Sequence, residues 1–327
     1  MRRRATLLLI GALLLGTAAS PPPPKPGLPA LQRPMADLPR VATWPIGRFA
    51  DWVAITSDAV WVAGKEPESV HRIDPATNAD TATIALPGDA CAGLAAGFGS
   101  LWVPLCKDGA SSVLRIDQAS GALLATVPMG PPAEGGIAVG SAAVWFTSGG
   151  DTLIGLDPKT NAPRHKVTIA SGSQVPVVDR DTVWVTSLDH DIVTAVDART
   201  GHVLGTVPTG PRPRFLTAGA GAIWTLNQGD GTVTRIDART RKVVATIPLG
   251  VPGNGGDIAY GDGLVWVTSL GVPLTAVDVR TNKPLVQWTG PGGDSLRFGH
   301  GAIWLTDLRR GGVDRIDPAA ARVGPKE

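Results

Sequence analysis

An all-β fold, a seven-bladed β-propeller, is what this 327-residue sequence predicts, and three observations predict it. Seven tryptophans recur in matching apolar contexts, from "DAVWVAG" (Trp61) through Trp102, Trp145, Trp184, Trp224 and Trp266 to "GAIWLTD" (Trp304). Their intervals are 41, 43, 39, 40, 42 and 38 residues. About a dozen residues past each Trp comes an apolar–Asp pair, as in "RIDPATN", "AVDARTG" and "RIDARTR". In every unit but the last, a β-rich run ending near Gly then follows, as in "KVVATIPLG". Four short apolar runs per unit, separated by Gly and Asp-x-x-Thr turns, make a four-stranded antiparallel meander. Seven such meanders at a period near forty residues close most naturally into a propeller.

The elements follow in order. "MRRRATLLLIGALLLGTAAS" has a basic start, an apolar run and then small residues, which is a secretory leader too short to span a membrane. Cleavage is expected after Ala19, giving a leader at 1–19. Residues 20–38, dense in proline, read as a polyproline-like spacer, because each proline fixes φ and removes a donor. The propeller is expected over 39–320, with a C-terminal tail at 321–327. The last unit, "GAIWLTDLRRGGVDRIDPAAARVGPKE", stops without a fourth strand, and "RVATWPIG" near the start has the pattern of "KVVATIPLG". Residues 40–46 are therefore expected to close the ring as an N-terminal strand completing the last blade, beside Val313–Ile316. The first strand of each unit ("VAIT", "IAVG", "LTAG") is small and apolar without polar alternation, as converging blades require. The repeated Trp belongs to the second strand, where the wedge between blades is wide enough for an indole. The repeated Asp reads as a turn former that accepts from its own backbone.

Cys91 and Cys106 are the two cysteines. A hairpin turning near Phe98-Gly99 sets them opposite each other, and export permits a disulfide. Two thiols at this spacing form neither a zinc motif nor a CxxC pair.

The formal charge is +2, and removing the three leader arginines takes it to −1. A balanced chain without basic and aromatic residues interleaved gives no reason to expect nucleic acid as a partner. The mature chain has no second apolar run of membrane length. It is expected to be an exported monomer in the periplasm or the medium.

Motifs such as "VWVTS", "RIDARTRKVVATIPLG" and "AVDARTGHVLGTVPTG" resemble the YVTN-type repeats of bacterial propellers, a group that is also similar to the streptogramin (virginiamycin B) lyases. The resemblance covers residues 40–320. It implies a propeller, and for the lyases a magnesium-dependent site with a catalytic His and Glu on one face. No His stands a short step along the chain from an inner-mouth Glu, so the lyase pair is not placed.

Propeller sites gather where the loops before the first strand and after the second converge on the axis. Ten residues before the Trp of their blades stand Asp51, Gln174, Arg214 and Asp294, and nine before stand Trp52, Phe215 and Asp257. Glu134 lies one step further out in the third unit, and His190 follows the fourth Trp strand within "SLDHDIV". Arg297 occupies an inner-strand position that is Ala, Val or Thr in the other units, so it needs Asp294 or Asp257 as a partner. This mixture of acids, bases and aromatics suits a polar small molecule or a protein loop. The expected function is an exported scaffold that binds a ligand or protein at its axial mouth, with no cofactor. The alternative is a lyase- or lactonase-like enzyme using Mg²⁺ or Ca²⁺ held by groups such as Glu134, Asp257 and Asp294.

Overall fold

The structure, a computed structural model, describes residues 26–107, 110–130 and 136–323. The expected leader and Glu134 lie outside the described residues. Seven four-stranded antiparallel blades form a ring: 49–85, 89–130, 137–168, 173–208, 213–248, 258–289, and a seventh made of 296–316 plus Ala42–Pro45. The first strand of each blade packs on the first strands of its two neighbours around the whole ring. All seven repeat tryptophans are buried on second strands, where each fills the wedge toward an adjacent blade.

The ring closes with main-chain pairing. Ala42–Pro45 runs antiparallel to Gly312–Arg315, and Trp44 stacks on Trp304 with ring centroids 5.4 Å apart. Arg40 Nε binds Asp314 Oδ2 at 2.9 Å, and Thr43 Oγ1 donates to Asp314 Oδ1 at 2.6 Å. An open edge in the last blade would leave a row of unpaired backbone groups, and the N-terminal strand satisfies them.

Part of the proline-rich segment is not a free spacer. Gln32–Pro34 forms a short strand parallel to Gln287–Thr289 on the outer edge of blade 6. Met35 and Leu38 are buried against Trp288 and Leu274. Proline restricts a segment to extended conformations, which excludes it from a central strand but allows an edge, and the two apolar side chains supply the reason to dock. The other end differs from expectation as well. Pro318–Ala321 is a single helical turn capped by Asp317, and the Ala321 carbonyl accepts from Trp288 Nε1 at 2.8 Å, so the fold runs past residue 320.

Cys91 and Cys106 are bonded, with Cα atoms 5.7 Å apart. The inner strand of blade 2 is broken, however: Ala96 pairs with Leu101 as the hairpin demands, but across the break Asp89, not Cys91, pairs with Cys106. The disulfide spans the irregularity.

The rim repeats its devices. Each repeated aspartate accepts from backbone N–H groups two or three residues on, for example Asp197 from Arg199 and Thr200 at 3.0 and 2.7 Å. In blades 2, 5 and 7 an arginine two residues before that aspartate (Arg115, Arg235, Arg315) lies over the blade's own Trp and reaches the next blade. There it donates to the turn carbonyl of Pro158, Val279 or Pro75 and to the amide oxygen of Asn161, Asn282 or Asn78. Blades 3, 4 and 6 have Gly155, Ala195 and Ala276 at this position, and the turns they face carry Gly201, Arg241 and Ala321 in place of asparagine. The clamp thus needs both partners, and the chain supplies both or neither in six of the seven joints; in the remaining one Arg72 binds Asp58 of its own blade at 2.7 Å.

Candidate functional site

The axis is where the repeats diverge. Asp51 ends up beside the residue after Asp294, because the ring brings blade 7 against blade 1: Ser295 Oγ donates to Asp51 Oδ1 at 2.6 Å. The same oxygen accepts from the Trp52 backbone N–H at 2.8 Å. Trp52 sits in a bulge with φ +36°, a left-handed conformation that an indole residue adopts only when its surroundings impose it. Its ring meets Phe215 from blade 5 across the axis, centroids 6.3 Å apart. Both rings line the channel on the axis.

Asp257 is the partner of Arg297. Arg297 Nη1 donates to Asp257 Oδ2 at 2.5 Å and to the carbonyl of Leu296 at 2.6 Å. Asp257 is 2% exposed, and its oxygens also accept from the backbone N–H groups of Ile258 and Leu296 at 2.8 and 3.1 Å. A buried carboxylate so fully occupied joins blades 6 and 7 and has little left to offer a metal. Asp294 ties the same joint by its backbone, since Thr268 Oγ1 donates to its carbonyl.

The carboxyls of this cluster leave their ordinary range. Burial pushes the Asp294 carboxyl up to about 7, with the nearby Asp51 and Asp257 carboxylates adding to the rise. The backbone N–H of Gly256 and the Arg214 guanidinium oppose it. Burial also raises Asp51, against the hydrogen bonds from Ser295 and Trp52 and the charge of Lys65. The site is thus short of positive charge for the carboxylates it has buried.

The remaining sequence candidates fall into place differently. Arg214 lies over the Phe215 ring at 5.1 Å. Gln174 is half-buried, and its carbonyl accepts from Thr147 Oγ1 at 2.8 Å. His190 is exposed and bonded to Ser171 at 3.0 Å, outside the aspartate cluster. Among the described residues no group of three His, Cys, Asp or Glu is arranged to hold a metal ion. The mouth also includes Ser295, nine residues before its blade's Trp, and Thr268, which sequence reasoning passed over. Ser295 and Thr268 stitch the inner loops together, and each was legible only as one more small polar residue. A shallow recess of about 190 Å³ between blades 6 and 7, lined by Gly290–Asp294, Leu270 and Arg309, continues the mouth outward.

With this geometry established, the chain's similarities can be placed. A family model described as outer membrane protein assembly factor BamB matches residues 109–226, from the third strand of blade 2 into the second strand of blade 5. Among curated proteins none matches. The crystal structure of BamB from Moraxella catarrhalis is similar with a TM-score of 0.61 over 86% of this chain and 89% of that one. At 15% identity the likeness is one of fold.

Proposed function

We propose that this chain is an exported binding scaffold whose axial mouth receives a protein partner. The observation that carries the reading is the contrast between a repetitive rim and a mouth where seven equivalent positions hold different side chains. Asp51, Trp52, Asp294 and Arg214 stand at positions that other blades fill with glycine or alanine. The similarity to BamB, described as an assembly factor, supports a partner that is a protein. The Cys91–Cys106 bond suits an oxidising compartment, and among the described residues no helix is long and apolar enough to cross a membrane. The YVTN-type repeat resemblance agrees with this, because binding modules are among the proteins that carry such repeats. It also keeps a lyase- or lactonase-like activity in view, but Asp257, the acid that alternative would use as a metal ligand, is occupied by Arg297.

Site-specific photo-crosslinkers test the reading in the native host. Placed at Gln174 and Arg309 on the mouth, they should yield one recurrent adduct. Placed at Thr83 and Lys166 on outer strands, they should not. Adducts spread evenly over both sets would sink the proposal. Cell fractionation of the wild-type chain should find it outside the cytoplasm, and a cytoplasmic location would remove the export half of the reading.

A further inference from the structure

At the Trp52–Phe215 pair the axis holds a channel of about 290 Å³. The side chains of Ala138, Val139, Val175, Val177, Leu216 and Ile258 give it aliphatic patches on the inner strands of blades 3 to 6, while polar atoms make up about half of its exposed lining. Arg297 and Asp257 supply the charge among its described lining residues. Arg297 uses Nη1 for Asp257 and Leu296, while Nη2 points across the axis toward blade 2: a Cβ on Gly93 would lie 3.9 Å from it. Among the described residues Nη2 has no acceptor. The Arg297 side chain is 31% exposed and lines the channel.

We propose that the channel binds a small uncharged molecule, apolar in body and bearing a carbonyl oxygen that Arg297 Nη2 recognises. The aliphatic patches select the body by burial of apolar surface. A charged donor that loses its water when a ligand enters selects an acceptor, because leaving that bond unmade is costly. The absence of charge follows from the pairing on the axis: Asp257 already neutralises Arg297, so no net positive charge is left to hold a carboxylate ligand. Size follows from volume. A cavity of about 150 Å³ accommodates a benzene, so 290 Å³ fits a fused two-ring molecule. This site is below the mouth and does not depend on a protein partner binding there.

The test uses three probes of one shape: 1-indanone, the hydrocarbon indane, and indane-1-carboxylate, with binding to the full exported chain followed by saturation-transfer NMR. The ketone is expected to bind roughly tenfold or more tightly than the hydrocarbon, the increment of one hydrogen bond from a charged donor, and the carboxylate not to bind at millimolar concentration. Arg297→Met should erase the preference for the ketone. Thr217→Phe, which fills the channel from a half-buried wall position, should abolish binding of ketone and hydrocarbon while the thermal transition stays cooperative. Equal affinity for ketone and hydrocarbon would overturn the proposal, as would ketone binding that survives Thr217→Phe or fails altogether at millimolar concentration. Because Thr217→Phe leaves Asp257 paired, the result stands even if Arg297→Met unfolds the chain.

Discussion

The aspartates of the rim and those of the axis are the same residue in opposite states. At the rim Asp74, Asp117, Asp157, Asp197, Asp237 and Asp278 have carboxyls held below the usual range, chiefly by hydrogen bonds from their own turns. At the axis Asp51 and Asp294 are pushed the other way by burial. The rim carboxylates are half-buried, Asp278 more deeply, and the chain uses one in every blade. The axial ones are few and differ from blade to blade. In a repeat protein, repetition therefore marks what holds the fold, and departure from the repeat marks what the fold is used for.

If this division is sound, cuts at the rim should cost stability, and changes at the axis outside the Arg297–Asp257 pair should cost little. The largest loss is expected from deleting residues 40–46, which removes the fourth strand of blade 7 together with Trp44 and its stack on Trp304. No cooperative thermal transition should remain by circular dichroism. Deleting 26–38 should be milder, about 3 kcal/mol or more, because it exposes surface that Met35 and Leu38 cover and two buried apolar side chains contribute about 1.5–3 kcal/mol each. If the two deletions melted alike, the closing strand would have no special role.

Next in size is the disulfide. Cys91→Ser with Cys106→Ser should lower stability by about 2–3 kcal/mol on the chain-entropy estimate for so short a loop, and reductant should lower the wild type equally. Denaturant melts measure both. Free thiols in the wild type would contradict the bond itself.

Smaller still are the inter-blade clamps. Arg235→Ala removes two hydrogen bonds of 2.8 Å to Val279 and Asn282 and a guanidinium from the Trp224 face, for a loss of about 2 kcal/mol. The mirror experiment sharpens the rule. Ala195→Arg introduces the same arginine in blade 4, but the facing turn carries Arg241, so no stabilisation is expected. A gain matching the Arg235→Ala loss would show that the asparagine partner is irrelevant.

Much of this was legible in sequence because repetition multiplies weak signals. One "VWVTS" is ambiguous, whereas seven at near-constant spacing fix the strand order and the position of the Trp. The closing strand was visible for the same reason, as "RVATWPIG" matched a pattern already seen in other units. Docking of Gln32–Leu38 was not, since prolines mask the two apolar residues that anchor it. The clamps escaped because their arginine and asparagine stand in different units, more than forty residues apart. At the axis the sequence supplied the unusual residues and left Arg297 two carboxylate partners. Choosing Asp257 over Asp294 depends on how blades 6 and 7 splay at the centre, which no periodicity encodes.

The pH dependence bears most directly on the axis. An acid whose folded-state pKa is raised from 3.8 to about 7 binds its proton more tightly in the folded chain than in the unfolded one. Between those values the folded state holds more protons, so stability must fall as pH rises through this window and level off above it. The rim aspartates act in the opposite sense and lower down: their carboxyls are depressed, so their contribution is complete above the ordinary carboxylate range and is lost as pH falls below it. Thermal midpoints should therefore peak in mildly acidic solution and decline toward pH 8. Asp294→Asn should flatten the decline on the alkaline side and leave the acidic side unchanged, whereas Asp197→Asn should weaken the acidic limb and leave the alkaline one. If Asp294→Asn left the slope from pH 5 to 8 untouched, the axis would not be short of positive charge, and the physical distinction between its carboxylates and those of the rim would collapse.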